Sequence, residues 1–432
     1  MISTTVPGHD FKRGPAAAPW AAMALYRGPG ARLQASCLLI IESARPRAGT
    51  APCESIMDDI AQARTQQELI IEAKKRLSPA AWDYLCGGGE SETTLKRNRY
   101  AIDSIAFRPR VLIDVTDPDP ATVFMGQNLR IPVICAPIGS LHLMDPGGNI
   151  PVVRAMDKFG SIPVISIMTN PRLEDCAAET DGYKIFQLYV RGDMDWVDKT
   201  LDRVVAAGFG ALTITVDVAH YGRRERDMYN RFNRRAFAQR SNLEGIDLTE
   251  EWRWRGALTW DFIDHCKSHC GLPVLVKGIA TAEDAQIAVD RGIDVIWVSN
   301  HGGRQLDHGR GSIEALAEVA AVAKGKVPIV VDGAFVRGSD MVKAIIVGAD
   351  VVAIGKLQGW ALAAGGEQGL TRAFEILESE IKITMGLLGA NSLADLKPAH
   401  LHHGAMPMNP PSPWSPFPVV TEAFERWDRG TY

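Results

Sequence analysis

The stretch PVLVKGIATAEDAQIAVDRGIDVIWVSNHGGRQLD (residues 273–307) decides the fold. It opens on an apolar run, Pro273–Lys277, and continues through Ala282–Arg291, where apolar residues recur at helical spacing. It then turns at Gly292-Ile293-Asp294-Val295 and enters a second apolar run, Asp294–Ser299. Runs with no polar alternation read as strands buried on both faces, the habit of parallel sheet, and two of them joined by a helix make a β/α unit. The same unit repeats outward in both directions. Upstream lie Ile131–Ala136, Ile162–Ser166, Lys184–Tyr189 and Ala211–Val216; downstream lie Pro328–Asp332 and Asp350–Ile354. Helical patterns at Ser312–Ala323 and Ser339–Val347 separate the downstream runs, and Gly348–Val351 repeats the turn at Gly292–Val295. Eight such units in about 230 residues predict an α/β chain folded as a (β/α)8 TIM barrel with a small N-terminal helical segment. A doubly wound open sheet is the competitor, and it would lack circular closure.

The remainder of the chain bounds the function. It has 432 residues, with 47 Lys+Arg against 51 Asp+Glu, a formal net charge of −4. That balance argues against nucleic acid as an obligate partner, which would need a concentrated basic face. Apolar residues make up 46% and charged residues 23%, as in an ordinary globular protein. No apolar stretch approaches the roughly 20 residues of a membrane-spanning helix, so no membrane partner is expected. Seven scattered cysteines fit a reduced, cytoplasmic protein better than a disulfide framework. Residues 1–56 are rich in Ala, Pro, Gly and Arg without a sustained period and are expected to be a disordered extension. Residues 57–400 are expected to form the catalytic domain. Residues 401–432 are expected to be a Pro-rich C-terminal tail, within which the proline-dense AMPMNPPSPWSPFP (405–418) reads as extended. His265, Cys266, His269 and Cys270 form a local cluster of potential metal ligands, as does the run His400, His402 and His403. Both are expected to be ordinary structural residues, so no metal is expected.

In a barrel of this kind the chemistry lies past the C-terminal ends of the strands. Reading there in chain order gives Ile138-Gly139-Ser140, Ser166, Gln187 and Tyr189, Thr215 and Asp217, Lys277, Ser299-Asn300-His301-Gly302-Gly303-Arg304, Asp332-Gly333 and Gly355-Lys356. Each residue alone is unremarkable; an Asp after a strand is usually a helix cap. Together they make a ring of titratable groups at one mouth. His301 is the natural general base. Asp217 could pair with its imidazolium, Arg304 offers a planar fork for a carboxylate, and Lys277 places a positive charge where an anion develops. The loops Asp332–Gly338 and Gly355-Lys356 are glycine-bearing and basic, which suits a phosphorylated cofactor.

Several stretches resemble one family. LVKGI (275–279), SNHGGRQLD (299–307), QLYVRGD (187–193), TVDV (215–218) with GRRERDMYNRF (222–232), and WDYLCGGGESETTL (82–95) are similar to the FMN-dependent L-2-hydroxy acid oxidases and dehydrogenases, over roughly residues 60–400. The resemblance implies FMN as cofactor and oxidation of an L-2-hydroxy acid to a 2-oxo acid. The acceptor is left open between O2 and another oxidant. It implies His301 as the base that takes the hydroxyl proton, with Asp217 as its partner. Tyr84, Arg224 and Arg304 become substrate ligands, Tyr189 a hydrogen-bond donor, and Lys277 the cation beside the flavin. Ile138, Gly139, Ser166, Gln187, Thr215, Ser299, Asp332, Gly333, Arg337, Gly355 and Lys356 become cofactor-side positions. A homo-oligomer, a tetramer in many relatives, is implied as well. Three positions depart from the family pattern. Val336 stands where the usual phosphate-binding arginine would be, Lys356 replaces a second arginine, and Met168 replaces a tryptophan of glycolate oxidase. Segment 233–260 is short and polar, without a long membrane-binding insert. Two other readings stay open: an FMN-barrel isomerase of a phosphorylated isoprenoid, and a cofactor-poor, non-catalytic barrel.

Overall fold

The computed structural model describes residues 60–168, 170–232, 241–243, 251–408 and 411–428. The expected disorder of residues 1–56 lies outside them, as does most of segment 233–260.

All eight apolar runs are strands: β1 Val133–Cys135, β2 Val164–Ser166, β3 Ile185–Leu188, β4 Ala211–Thr215, β5 Val274–Ile279, β6 Val295–Val298, β7 Ile329–Val331 and β8 Val351–Ile354. They form one parallel sheet in which the first strand pairs with the last, Val133 opposite Val352 and Cys135 opposite Ile354. The β1–β2 seam is crossed by the Cys135 N–H, which donates to the Ile162 carbonyl at 3.2 Å. This is the circular closure that an open doubly wound sheet would lack.

The helices that follow the strands are α1 Ile150–Phe159, α2 Leu173–Ala177, α3 Met194–Ala206, α4 Trp260–Cys270, α5 Ala282–Asp290, α6 Ser312–Ala323, α7 Gly338–Val347 and α8 Lys356–Leu388, the last broken at Gly365-Gly366. Outward strand residues such as Phe186, Leu212, Val276 and Ile329 share one buried cluster with the inner faces of these helices. Inward residues form a second cluster: Ile134, Val164, Ile185, Ala211, Leu275, Val295, Trp297, Val330 and Val351. Phe124 and Leu129, from the hairpin Thr122–Phe124/Gln127–Leu129, belong to this inner cluster and plug the end opposite the candidate site. No helix among the described residues is long and apolar enough to cross a membrane.

Three helices precede the barrel: Gln66–Arg76, Pro79–Cys86 and Thr93–Asp103. The second starts where Ser78 Oγ accepts from the Ala81 N–H at 3.2 Å with Pro79 in the first turn, and it ends at Gly87.

The expected C-terminal tail is irregular over the described part of 405–417 but is flanked by regular elements and packed against the rest of the domain. Leu401–His403 pairs antiparallel with Ile105–Phe107, and Pro418–Asp428 is a helix. Trp414 stacks on Trp82 at 5.4 Å, and Phe417 and Val420 are fully buried. The physical reason is apolar: prolines forbid regular pairing, but three large side chains in a short stretch gain far more by burial than by trailing in water.

Candidate active site

The period of two along each strand builds the floor of the mouth. On β2 to β7, two residues past an inner-cluster residue, the next inward position is polar. Ser166 follows Val164, Gln187 follows Ile185, Thr213 and Thr215 follow Ala211, Lys277 follows Leu275, Ser299 follows Trp297, and Asp332 follows Val330. All seven of these polar side chains are buried. Lys277, Ser299 and Asp332, and separately Ser166 and Gln187, offset their desolvation by bonding one another, whereas the hydroxyls of Thr213 and Thr215 have no partner among the described residues. Lys277 Nζ donates to Ser299 Oγ at 2.7 Å and lies 3.0 Å from Asp332 Oδ2. Ser299 Oγ donates to Asp332 Oδ1 at 2.7 Å, and Trp297 Nε1 donates to Asp332 Oδ2 at 3.0 Å. Ser166 Oγ donates to Gln187 Oε1 at 2.6 Å. Burial would lower the Lys277 pKa, but Asp332 and Asp217 outweigh it and hold the ammonium above its ordinary value.

Above this floor His301 is fixed from two sides. Its N–H donates to Ser299 Oγ at 3.0 Å, and its Nδ1 lies 2.8 Å from Asp217 Oδ1. Asp217 is buried; that burial is overcome by His301 and Lys277, which keep the carboxyl below its usual range and therefore ionised. An ionised carboxylate only accepts, so Nδ1 carries the proton and Nε2 presents a lone pair. The Tyr189 hydroxyl faces that nitrogen at 3.4 Å. Burial lowers the His301 pKa, and Asp217 offsets only part of this, so the ring is neutral at neutral pH. The loop conformation matters here. His301, Gly302 and Gly303 all have positive φ (56°, 64° and 73°). A Cβ on Gly303 would meet the Leu95 backbone nitrogen at 2.5 Å, so glycine is what lets helix Thr93–Asp103 approach this loop.

A cleft enclosing about 1320 Å³, counted to its open mouth, lies over these groups. Its walls include Tyr84, Ile138, Gly139, Tyr189, Arg224, Lys277, His301, Arg304, Asp332, Gly333, Gly355 and Lys356. The structure thus gathers these expected residues around one space. Ser166, Gln187, Thr215 and Ser299 sit in the buried inward layer rather than in the wall. Among the described residues, Gln187 Nε2 and Thr215 Oγ1 are buried and without a hydrogen-bond partner. The Gln187 donor and the Thr215 hydroxyl, the outermost of these groups on two adjacent strands, suit a flat heterocycle with carbonyl and ring-nitrogen edges, which is the chemistry of an isoalloxazine. The residues present therefore fit FMN.

Two expectations are corrected. Arg337 does not face the cleft: its guanidinium bonds Glu380 at 2.7 Å and lies over the Phe417 ring. A carboxylate on α8 and an aromatic ring from the C-terminal segment, both remote in sequence, compete for it. Arg304 lines the cleft, but its fork does not stand ready for a ligand. It donates to the carbonyls of Tyr84 and Gly87, each at 2.7 Å. Lys356 Nζ donates to the next carbonyl, Cys86, at 2.8 Å. Two cations thus cap the C-terminal end of helix Pro79–Cys86, where the helix dipole is negative. Burial, with Arg304 nearby, pulls Lys356 down to about 7. Arg224 is also buried; its Nη2 donates to Gln305 Oε1 at 3.2 Å, while its Nε has no partner among the described residues.

Sequence reading missed Arg99, which lines the cleft while pairing with Asp340 at 2.8 and 2.9 Å and donating to the Ala334 carbonyl at 3.1 Å. Its spacing of four from Asp103 was the one local signal. Tyr221, Trp360 and Pro413 also line the cleft, and their positions had no signal in the sequence.

Comparison with known proteins agrees with this geometry. The family model described as FMN-dependent dehydrogenase matches residues 73–403. Glycolate oxidase 1 of Oryza sativa subsp. indica is 38% identical over 354 residues, 79% of this chain and 96% of the relative. Glycolate oxidase of Spinacia oleracea is 37% identical over 342 residues, covering 76% and 93%. Among solved structures, mandelate oxidase with benzoyl-formic acid superposes with a TM-score of 0.73 at 34% identity, covering 79% of this chain and 99% of that one. A mandelate oxidase variant with a C4a-OH-FMN adduct gives 0.72 at 34% identity, covering 78% and 99%.

Proposed function

This chain belongs to the FMN-dependent dehydrogenase family and oxidises 2-hydroxy acids with FMN, and on that premise we propose how its own residues share the work. When bound, FMN supplies the two-electron acceptor for the hydrogen on the substrate α-carbon. His301 takes the hydroxyl proton at Nε2, the nitrogen left unprotonated because Nδ1–H is held by Asp217. The ionised Asp217 stabilises the imidazolium that results. Tyr189, facing the same nitrogen, orients the hydroxyl. Lys277 keeps a positive charge under the mouth, where developing negative charge is stabilised in a site shielded from water. Arg224 anchors the substrate carboxylate, because its buried Nε is still open to a ligand. The His301–Asp217 contact is the single observation that carries this reading: an isoprenoid isomerase has no need of a buried, oriented, neutral imidazole.

The substrate side chain in this reading is apolar. Met168 and Tyr221 join Tyr84 in the wall, and Phe232 packs on Tyr84 at 5.6 Å. Gly139 and Met168 are coupled: a Cβ on Gly139 would meet Met168 Cβ at 3.0 Å. The space over the strand 1 loop is therefore shared between a missing methyl and a flexible thioether. The relatives are named oxidases, which supports O2 as acceptor. Oligomerisation, by analogy with the family, and a reducing cytoplasm, in keeping with the free thiols of Cys86, Cys135, Cys176, Cys266 and Cys270, complete the proposal.

The test is anaerobic. Protein loaded with FMN is mixed with glycolate, lactate and mandelate, and the flavin band is followed. Bleaching by mandelate faster than by glycolate is expected, with recovery in air. A band that no 2-hydroxy acid bleaches would return the isomerase reading, and a protein that never takes up flavin would return the empty barrel. Because His301 acts as the neutral base and its pKa lies below 6.5, kcat/KM should hold steady down to that pH and fall only beneath it. An acid limb centred above pH 6.5 would remove His301 from the base role.

A further inference from the structure

The cluster at His265 and His269 is more than a pair of helix residues. These histidines are four apart on α4 and so share one face, with their rings stacked at 5.8 Å and 27°. The face opposite, on α3, carries Asp198 and Asp202, also four apart. His265 Nε2 lies 2.7 Å from Asp198 Oδ1, and His269 Nδ1 lies 3.6 Å from that same oxygen. His269 Nε2 lies 3.0 Å from Asp202 Oδ1. One ligand atom each from Asp198, His265 and His269 falls within 4.8 Å of the others. The structure thus adds to the two histidines a pair of carboxylates that the local sequence pattern did not contain.

We propose that Asp198, His265 and His269 form a binding site for a divalent first-row transition ion of the zinc class, which clasps α3 to α4 on the outside of the barrel. The chemistry favours this class: two imidazole nitrogens and a carboxylate oxygen are the ligands zinc takes, whereas calcium and magnesium demand mostly oxygen. Around a tetrahedral ion with bonds of about 2.0–2.1 Å, neighbouring donors stand about 3.3 Å apart. The two carboxylate–imidazole separations of 2.7 and 3.6 Å straddle that distance and the two imidazole nitrogens lie within 4.8 Å of each other, so side-chain rotations alone would bring the three donors around an ion. Asp202, with its side chain 72% exposed, is placed behind His269 to accept the ring's second N–H, the orienting role that carboxylates commonly play at zinc-bound histidines. Water fills the fourth position. Lys267, between the two histidines in sequence, does not compete: it is turned away onto Asp294 at 2.8 Å. The half-exposed setting lets an ion enter, and no step of hydroxy acid oxidation passes through it. The site's place in the fold gives it a use. The chain leaves β4 at Thr215, runs through the long excursion carrying Asp217 and Arg224, and returns to the barrel only at α4. A clasp between α4 and α3 fixes the end of that excursion.

The experiment uses the full chain without any histidine tag, stripped with a chelator and then loaded with FMN. Addition of Co²⁺ should produce the intense visible bands of a tetrahedral cobalt centre above the flavin absorption, at one equivalent per chain, and Zn²⁺ should remove them. Zn²⁺ at a hundredfold excess over its Kd should raise Tm by roughly 2–5 °C. His269→Ala and Asp198→Asn should abolish both signals, the second while keeping a hydrogen-bonding side chain so that folding is preserved. His402→Ala, in the other histidine run, should leave both unchanged. Absence of a cobalt band together with an unmoved Tm would overturn the proposal, as would signals that survive His269→Ala and disappear with His402→Ala.

Discussion

Two arcs of the same rim differ in how they hold charge. In the arc from β5 to the end of β7, Lys277, Ser299, Asp332 and His301 answer one another in a closed set of bonds of 2.7–3.0 Å. In the arc of the β7 loop and β8, with Arg99 from the helix Thr93–Asp103 beside it, the cations are engaged elsewhere: Arg337 on Glu380, Arg99 on Asp340, and Lys356 on the Cys86 carbonyl. The first arc carries the chemistry proposed above, and the second has valine at position 336, where the resemblance implies an arginine. The difference teaches that two parts of one rim can be varied separately, because they are bonded to different neighbours.

The sharpest way to break the first arc is His301→Gln. Turnover should fall by roughly 10²–10⁴-fold while the flavin spectrum persists, since a general base is lost and the floor is untouched; stopped-flow bleaching measures it. Lys277→Met removes one partner of a buried ion pair and leaves Asp332 uncompensated, which costs about 3–5 kcal/mol by urea unfolding. A loss under 1 kcal/mol would show the arc to be less coupled than its geometry says.

The second arc is sharpened by gain. Val336→Arg should tighten FMN binding by roughly 10–100-fold, as one added charge-assisted bond contributes about 1.5–3 kcal/mol, read by flavin fluorescence titration. If Lys356 holds the phosphate as an ammonium, a pKa of about 7 in the free protein makes FMN affinity pH-dependent. Below pH 7 the charge is already present; above it binding must take up a proton, so affinity should weaken by up to about tenfold per pH unit. A flat profile from pH 7 to 9 would show the phosphate to be held elsewhere. The smallest effect belongs to Ala334, a residue with a side chain held at φ of +66°. Ala334→Gly should raise stability by no more than about 1 kcal/mol, by relieving the left-handed strain.

The amino-acid sequence by itself determined the barrel, its eight strands and the residues at their ends. Apolar runs, helical spacing and glycine turns are local, and the period of two then fixes which residues look inward. His301, Asp217, Lys277 and Tyr189 were legible for that reason, since each lies just beyond or within an apolar run. Only the tertiary structure decided what bonds to what. Arg304 caps a helix more than 200 residues upstream, Arg337 turns to α8, the C-terminal segment folds back to place Pro413 at the cleft, and Asp198 meets His265 across two helices. A long charged side chain can reach several partners, and which one it takes depends on surfaces brought together by packing, about which the order of residues along a strand says nothing.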